Sequence, residues 1–151
     1  VRFTLYSEKT VRQCMSALTD RMEVKGTKSR PEIDGWIEKG GKFSIAMTSS
    51  VASRFNRTTR LRGTAKRESG VTIIKGFVPS GAPRSRVALM ILALLIVAAI
   101  MLVKGNGVLS IFAALTGFAL YIPLVGDYHN SAYLYKELKK ATKGKDKPPK
   151  K

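Results

Sequence analysis

Hydrophobic positions in this chain change period twice. Val1, Phe3 and Leu5 alternate with Arg2, Thr4 and Tyr6, the two-residue period of a half-buried strand. Val11, Cys14, Met15, Leu18 and Met22 then recur at helical spacing along one face, with Ser7 as the expected cap and Glu8 in the expected first turn. After a loop rich in Lys, Thr, Ser and Pro (Lys25 to Pro31), Trp36 and Ile37 lead through Gly40-Gly41 into Phe43, Ile45 and Met47, which reads as a hairpin. Thr59, Leu61, Gly63 and Ala65 alternate with Arg60, Arg62, Thr64 and Lys66. The turn Glu68-Ser69-Gly70 delivers Val71, Ile73 and Phe77 into a last strand. The pattern predicts an α+β fold for residues 1–78, ordered β-α-β-β-β-β, with a small antiparallel sheet and one covering helix.

From Val87 to Val103 the alternation disappears, leaving 17 residues with no charged or strongly polar side chain. At ~1.5 Å per residue this run covers about 25 Å, and flanking Arg86 and Lys104 can snorkel outward. A second run, 108–125, is interrupted only by Ser110 and Thr116, whose hydroxyls can bond a carbonyl one turn earlier. The connector Lys104-Gly105-Asn106-Gly107 is too short to cross anything, so residues 87–125 are expected as an antiparallel transmembrane helical hairpin (87–103 and 108–125). A buried hairpin of a soluble protein is the competing reading. It needs a further core to surround two apolar helices, and a chain of 151 residues has none to offer. Ala113 and Gly117 form a small-xxx-small pair, the candidate helix-packing face. Pro79 to Arg86 reads as a Pro/Gly linker, and 126–151 as a short basic juxtamembrane helix, capped by Asn130 or Ser131, with a disordered tail from Lys143 onward.

Charge adds orientation. Lys and Arg number 27 against 10 Asp and Glu, a formal net charge of +17. Eighteen of those cations precede the hairpin, eight follow it and Lys104 alone lies between the spans. Under the positive-inside rule both termini are expected in the cytoplasm, with the chain crossing a bacterial inner (cytoplasmic) membrane twice. Tyr121 and Tyr128 sit where an interfacial aromatic belt would place them. The opening Val1-Arg2-Phe3-Thr4-Leu5 has none of the features of a secretory signal, so insertion is expected from the internal segments.

The stretch from Arg62-Gly63 through Gly70-Val71-Thr72-Ile73-Ile74-Lys75-Gly76-Phe77-Val78-Pro79, followed by a hydrophobic hairpin, resembles small bacterial membrane proteins of uncharacterised type. In these an α+β domain ends in two strands and a proline before paired transmembrane helices. The resemblance implies architecture and carries no catalytic or binding residue.

Reactive groups are sparse. His129 is the single histidine and stands beside Asp127, a pair that can shuttle a proton or bind a metal but more simply makes an interfacial turn and helix cap. Cys14 falls on an apolar helix face, where a small hydrophobe is expected. Glu32, Asp34 and Glu38 are scattered, the glycines lack phosphate-loop spacing, and neither apolar run holds an ionisable residue. No enzyme, cofactor or metal is expected.

What remains is positive charge. Arg54, Arg57, Arg60, Arg62, Lys66 and Arg67 fall within fourteen residues. Strand alternation puts Arg60, Arg62 and Lys66 on one face. Arg57, Arg60, Arg62, Lys66, Arg84, Arg86, Lys139 and Lys140 are the candidate contacts to anionic lipid or to a protein partner. Nucleic acid ranks last, because only Phe55 stands among these arginines to stack a base and the domain is tethered beside a membrane. The expected function is a non-catalytic accessory subunit of a larger bacterial membrane complex, with respiratory or photosynthetic assemblies the first hosts to consider. The alternative is a free-standing membrane-anchored module that binds anionic lipid or an acidic protein.

Overall fold

Residues 1–27, 30–51 and 54–149 are described by a computed structural model. Lys28 and Ser29 of the expected loop, and Lys150 and Lys151 of the expected tail, lie outside the described residues. The elements run β1 (Arg2–Ser7), α1 (Val11–Glu23), β2 (Asp34–Ile37), β3 (Lys42–Val51), β4 (Phe55–Glu68), β5 (Val71–Phe77), α2 (Arg84–Val103) and α3 (Gly107–Thr142). This is an α+β chain with one five-stranded sheet, ordered β1-β5-β4-β3-β2 and antiparallel throughout, and two long apolar helices at its end.

Alternation sorts the sheet into two faces. Leu5, Phe43, Ile45, Leu61, Ala65 and Ile74 point inward and are nearly or fully buried, joined by Cys14, Met15 and Leu18 from α1. One inner row is built around glycine: Phe43 pairs with Gly63, Gly63 with Gly76 and Gly76 with Phe3. A Cβ on Gly63 would lie 2.6 Å from Cζ of Phe43, and one on Gly76 2.5 Å from Cζ of Phe3. The two rings occupy the space that side chains in the middle strands would fill, which offsets the packing cost of glycine inside a strand. The β4–β5 turn puts Ser69 and Gly70 at φ of 50° and 82°, a left-handed pair matching a two-residue hairpin.

The cap of α1 and the cover of the sheet both differ from what the sequence pattern predicts. The helix is capped by Thr10 in a reciprocal box with Gln13, not by Ser7. Ser7 is still in β1, and its hydroxyl donates to the carbonyl of Thr142, 2.5 Å away. Nor does a single helix cover the sheet. The second half of α3 lies on the inner face beside α1, burying Leu134 and Leu138 completely in the same core.

That second half is not a separate juxtamembrane helix. α3 runs 36 residues without interruption, through Pro123 and across the expected boundary at residue 126. Asn130 and Ser131, expected as caps, are interior helix residues facing the sheet. The chain beyond α3 is ordered by β1: the Lys145 amide donates to the Tyr6 carbonyl and the Tyr6 amide to the Lys145 carbonyl, both at 2.8 Å. Residues 144–146, expected as disordered tail, therefore cover part of an open sheet edge.

α2 and the first half of α3 form the hairpin. Lys104 and Gly105 close α2, with Gly105 at φ 80°. Gly117 is buried against Leu94 and Ile91 of α2, where a Cβ would meet its nearest neighbour at 3.4 Å, while Ala113 stays half-buried. Thr116 bonds the Phe112 carbonyl one turn back, as its position predicts, but Ser110 reaches across to the Ala98 carbonyl of α2 at 2.7 Å. Both helices are long and apolar enough to cross a membrane. Only 11% and 17% of their most apolar stretches are buried within the chain.

Candidate functional site: a joint at Asp127 and a basic sheet face

The candidate residues fall into two groups that the linear sequence does not separate. The first is a joint between β4 and α3. Asp127, 6% exposed, accepts two parallel hydrogen bonds from Arg57, Nε to Oδ1 at 2.9 Å and Nη2 to Oδ2 at 2.7 Å. Thr59 donates a third to Oδ1 at 2.6 Å. Burial alone would raise the carboxyl's pKa. The hydrogen bonds from Arg57 and Thr59 and the guanidinium charge outweigh it, and Asp127 is held below the ordinary carboxylate range.

One turn on, fully buried Asn130 directs its Nδ2 at the Arg57 carbonyl and the Thr59 hydroxyl, each at 3.1 Å. Ser131 donates to the Pro79 carbonyl at 2.6 Å. Near the far end, Arg21 of α1 meets Glu137 of α3 at 2.5 Å and the Tyr133 hydroxyl at 3.2 Å. These polar contacts fasten a helix leaving an apolar hairpin to the sheet.

Arg57, one of the candidate contacts, is not unpartnered: its guanidinium is bonded to Asp127 inside the chain, with the side chain 37% exposed. The Asp127–His129 pair is not assembled either, since Asp127 turns into the sheet while His129 is exposed, edge-on to Tyr128 at 5.5 Å between ring centroids. Cys14 is fully buried, and burial raises its thiol pKa despite a contact with Ser7 and the charge of Lys9. Lys139 pairs with Asp146, which also accepts from the Tyr135 hydroxyl at 2.6 Å. Burial and that carboxylate push Tyr135 up to about 12.

The second group is the outer face of the sheet, which no helix among the described residues covers. Arg60, Arg62 and Lys66 are exposed on it, as alternation predicts. Lys140, Arg84 and Arg86 are exposed elsewhere, on α3 and at the start of α2. Strand pairing adds residues that sequence distance concealed. Arg2 pairs with Phe77, Phe77 with Arg62, Arg62 with Ser44 and Ser44 with Trp36, one row straight across five strands. The adjacent row carries Lys75, Thr64 and Lys42. All of these except Ser44 line a shallow depression of about 440 Å³. Trp36 and Phe77 are 45% and 52% exposed. Ser44 lies between Trp36 and Arg62 in register, is 1% exposed, and its hydroxyl has no hydrogen-bond partner among the described residues.

Among the described residues no group of three or more histidine, cysteine or carboxylate side chains is placed to hold a metal ion. No family, curated protein or solved structure matches this chain.

Proposed function

We propose that the chain is a non-catalytic accessory subunit of a larger membrane complex, anchored by its two-helix hairpin and holding a basic sheet domain at a fixed place beside the bilayer. The observation that carries this reading is the unbroken α3. One helix of about 54 Å, at ~1.5 Å per residue, has its first half in the apolar hairpin and its second half in the sheet's core. The joint at Asp127, Asn130 and Ser131 leaves no flexible linker between the two halves, so whatever fixes the hairpin also fixes the sheet.

The exposed surface of the hairpin supports the membrane part. Leu89, Leu92, Val103, Val108, Ile111, Phe112, Leu115 and Phe118 are each more than half exposed, which in water would be a large unsatisfied apolar patch and in hydrocarbon is the expected state. Cations around the sheet end, with Lys104 alone at the turn, support an orientation with the sheet domain in the cytoplasm. A free-standing binding module would share this anatomy. It is distinguished by what accompanies the protein out of the membrane.

Extraction in mild detergent followed by native mass spectrometry tests the reading. Stoichiometric companion subunits are expected. Recovery of the protein alone, in detergent that keeps other membrane complexes intact, would contradict the subunit reading and favour the module.

A further inference from the structure

We infer that the outer face of the sheet is a docking site for a predominantly acidic protein segment carrying aromatic or aliphatic side chains. This deepens the reading above by giving the chemistry of the partner, and it rests on that reading only for where the face is held.

Charge and shape both single out this face. Register and alternation put six cations there among the described residues, Arg2, Lys42, Arg60, Arg62, Lys66 and Lys75, against two carboxylates, Asp34 and Glu68. Within the row from Arg2 to Trp36, Phe77 and Arg62 are neighbours and Trp36 lies two strands beyond Arg62. Strands are spaced at about 4.8 Å, so the two rings flank a cation across about 14 Å. Half-exposed tryptophan and phenylalanine and an exposed arginine grouped around a depression are residue types enriched at protein interfaces. The Ser44 hydroxyl, between Arg62 and Trp36 in register, is buried beneath this row and has no hydrogen-bond partner among the described residues.

Two other anionic partners fit less well. A lipid surface would have to meet the face flat. Yet the second half of α3, which continues from the hairpin, packs on the opposite side of the sheet, so the basic face looks away from the helix that ties it to the hairpin. A nucleic-acid strand is negative throughout, whereas this face keeps Asp34 in the Arg60 row and Glu68 at the far corner. A protein segment can answer both signs, with carboxylates on the arginines and a basic residue at each corner. The two rings then take its apolar side chains.

Trp36 is the chain's one tryptophan and therefore a built-in reporter. The full-length protein in neutral-lipid nanodiscs, at physiological salt, is titrated with a glutamate–tyrosine copolymer, polyglutamate and an oligouridylate of matched charge, while Trp36 emission is followed. The same emission is read in nanodiscs containing phosphatidylglycerol. The copolymer is expected to shift the emission and to bind at least tenfold more tightly than either of the other polymers. Arg62→Ala and Phe77→Ser should each weaken it at least fivefold, with an unchanged circular-dichroism melt showing that the sheet is intact. Tighter binding of the oligouridylate, an emission shift from anionic lipid alone, or copolymer affinity indifferent to both substitutions would overturn the proposal. Flotation of the same sample reports whether the chain sits in lipid, so a failed anchor and a failed docking face give different results.

Discussion

Arg57 and Asp127 are joined by two parallel hydrogen bonds, 2.9 and 2.7 Å long, that tie the start of β4 to the middle of α3. The pair sits two residues beyond the apolar run that ends at Val125, where the helix passes from the hairpin to the sheet. Its position makes it the mechanical link between the two halves of the molecule.

Asp127→Ala should destabilise the sheet domain by about 1–3 kcal/mol, the cost of leaving buried donors without an acceptor. The lower half of that range is expected, because the Arg57 side chain is 37% exposed and water can replace part of the loss. Chemical denaturation followed by Trp36 emission measures it.

The same carboxyl sets an acid limit. Its pKa in the fold is held below the ordinary carboxylate value, so its contribution is fully present above about pH 4 and is lost as falling pH passes through the lower, folded value. Acid unfolding of the unmodified protein should therefore have a component that Asp127→Asn removes. Superimposable acid limbs for the two proteins would assign that component elsewhere.

Gly76→Ala should cost about 1–3 kcal/mol, because the added methyl would lie 2.5 Å from the Phe3 ring and 2.6 Å from the Arg62 carbonyl. Phe3→Leu in the same chain should recover part of that cost, since it relieves the ring contact but not the carbonyl contact. A double-mutant cycle read by thermal melts checks the coupling.

Ending the chain after Lys143 removes both hydrogen bonds between Lys145 and Tyr6 and uncovers the β1 edge. The expected loss is about 1–2 kcal/mol, on the order of two net backbone hydrogen bonds. Faster amide exchange should be concentrated at Tyr6, while the amides of β4 stay protected.

The strands and α1 were legible because each carries one clean apolar period: Val1, Phe3 and Leu5 at two, and Cys14, Met15 and Leu18 at helical spacing. The hairpin was legible from its two uncharged runs. The second half of α3 was not, because the face it buries includes Asp127, Asn130, Ser131 and Thr142, and a local pattern reads such residues as a cap or a solvated surface. They are buried because Arg57, Thr59 and the Pro79 carbonyl come to them from 50 or more positions away. A signal was present in the helical spacing of Asp127, Ser131, Leu134, Leu138 and Thr142, which no glycine or proline interrupts. Of the outer face, the basic ridge on β4 could be read from alternation alone. The Trp36–Ser44–Arg62–Phe77–Arg2 row could not, since it exists only through strand register.

Cysteine scanning along α3 in sealed vesicles, with a membrane-impermeant maleimide, tests the central claim most directly. Native Cys14 is fully buried with a raised pKa and should contribute no background. The account predicts that cysteines at 109–120 are unreactive around the whole helix. At 126–142 reactivity should follow a helical period once the vesicles are opened to the sheet side, with 128, 129, 132, 136 and 140 labelled and 127, 130, 134 and 138 protected. Labelling of 112, 115 and 118 from water, or equal labelling of 134 and 138 with their exposed neighbours, would contradict it.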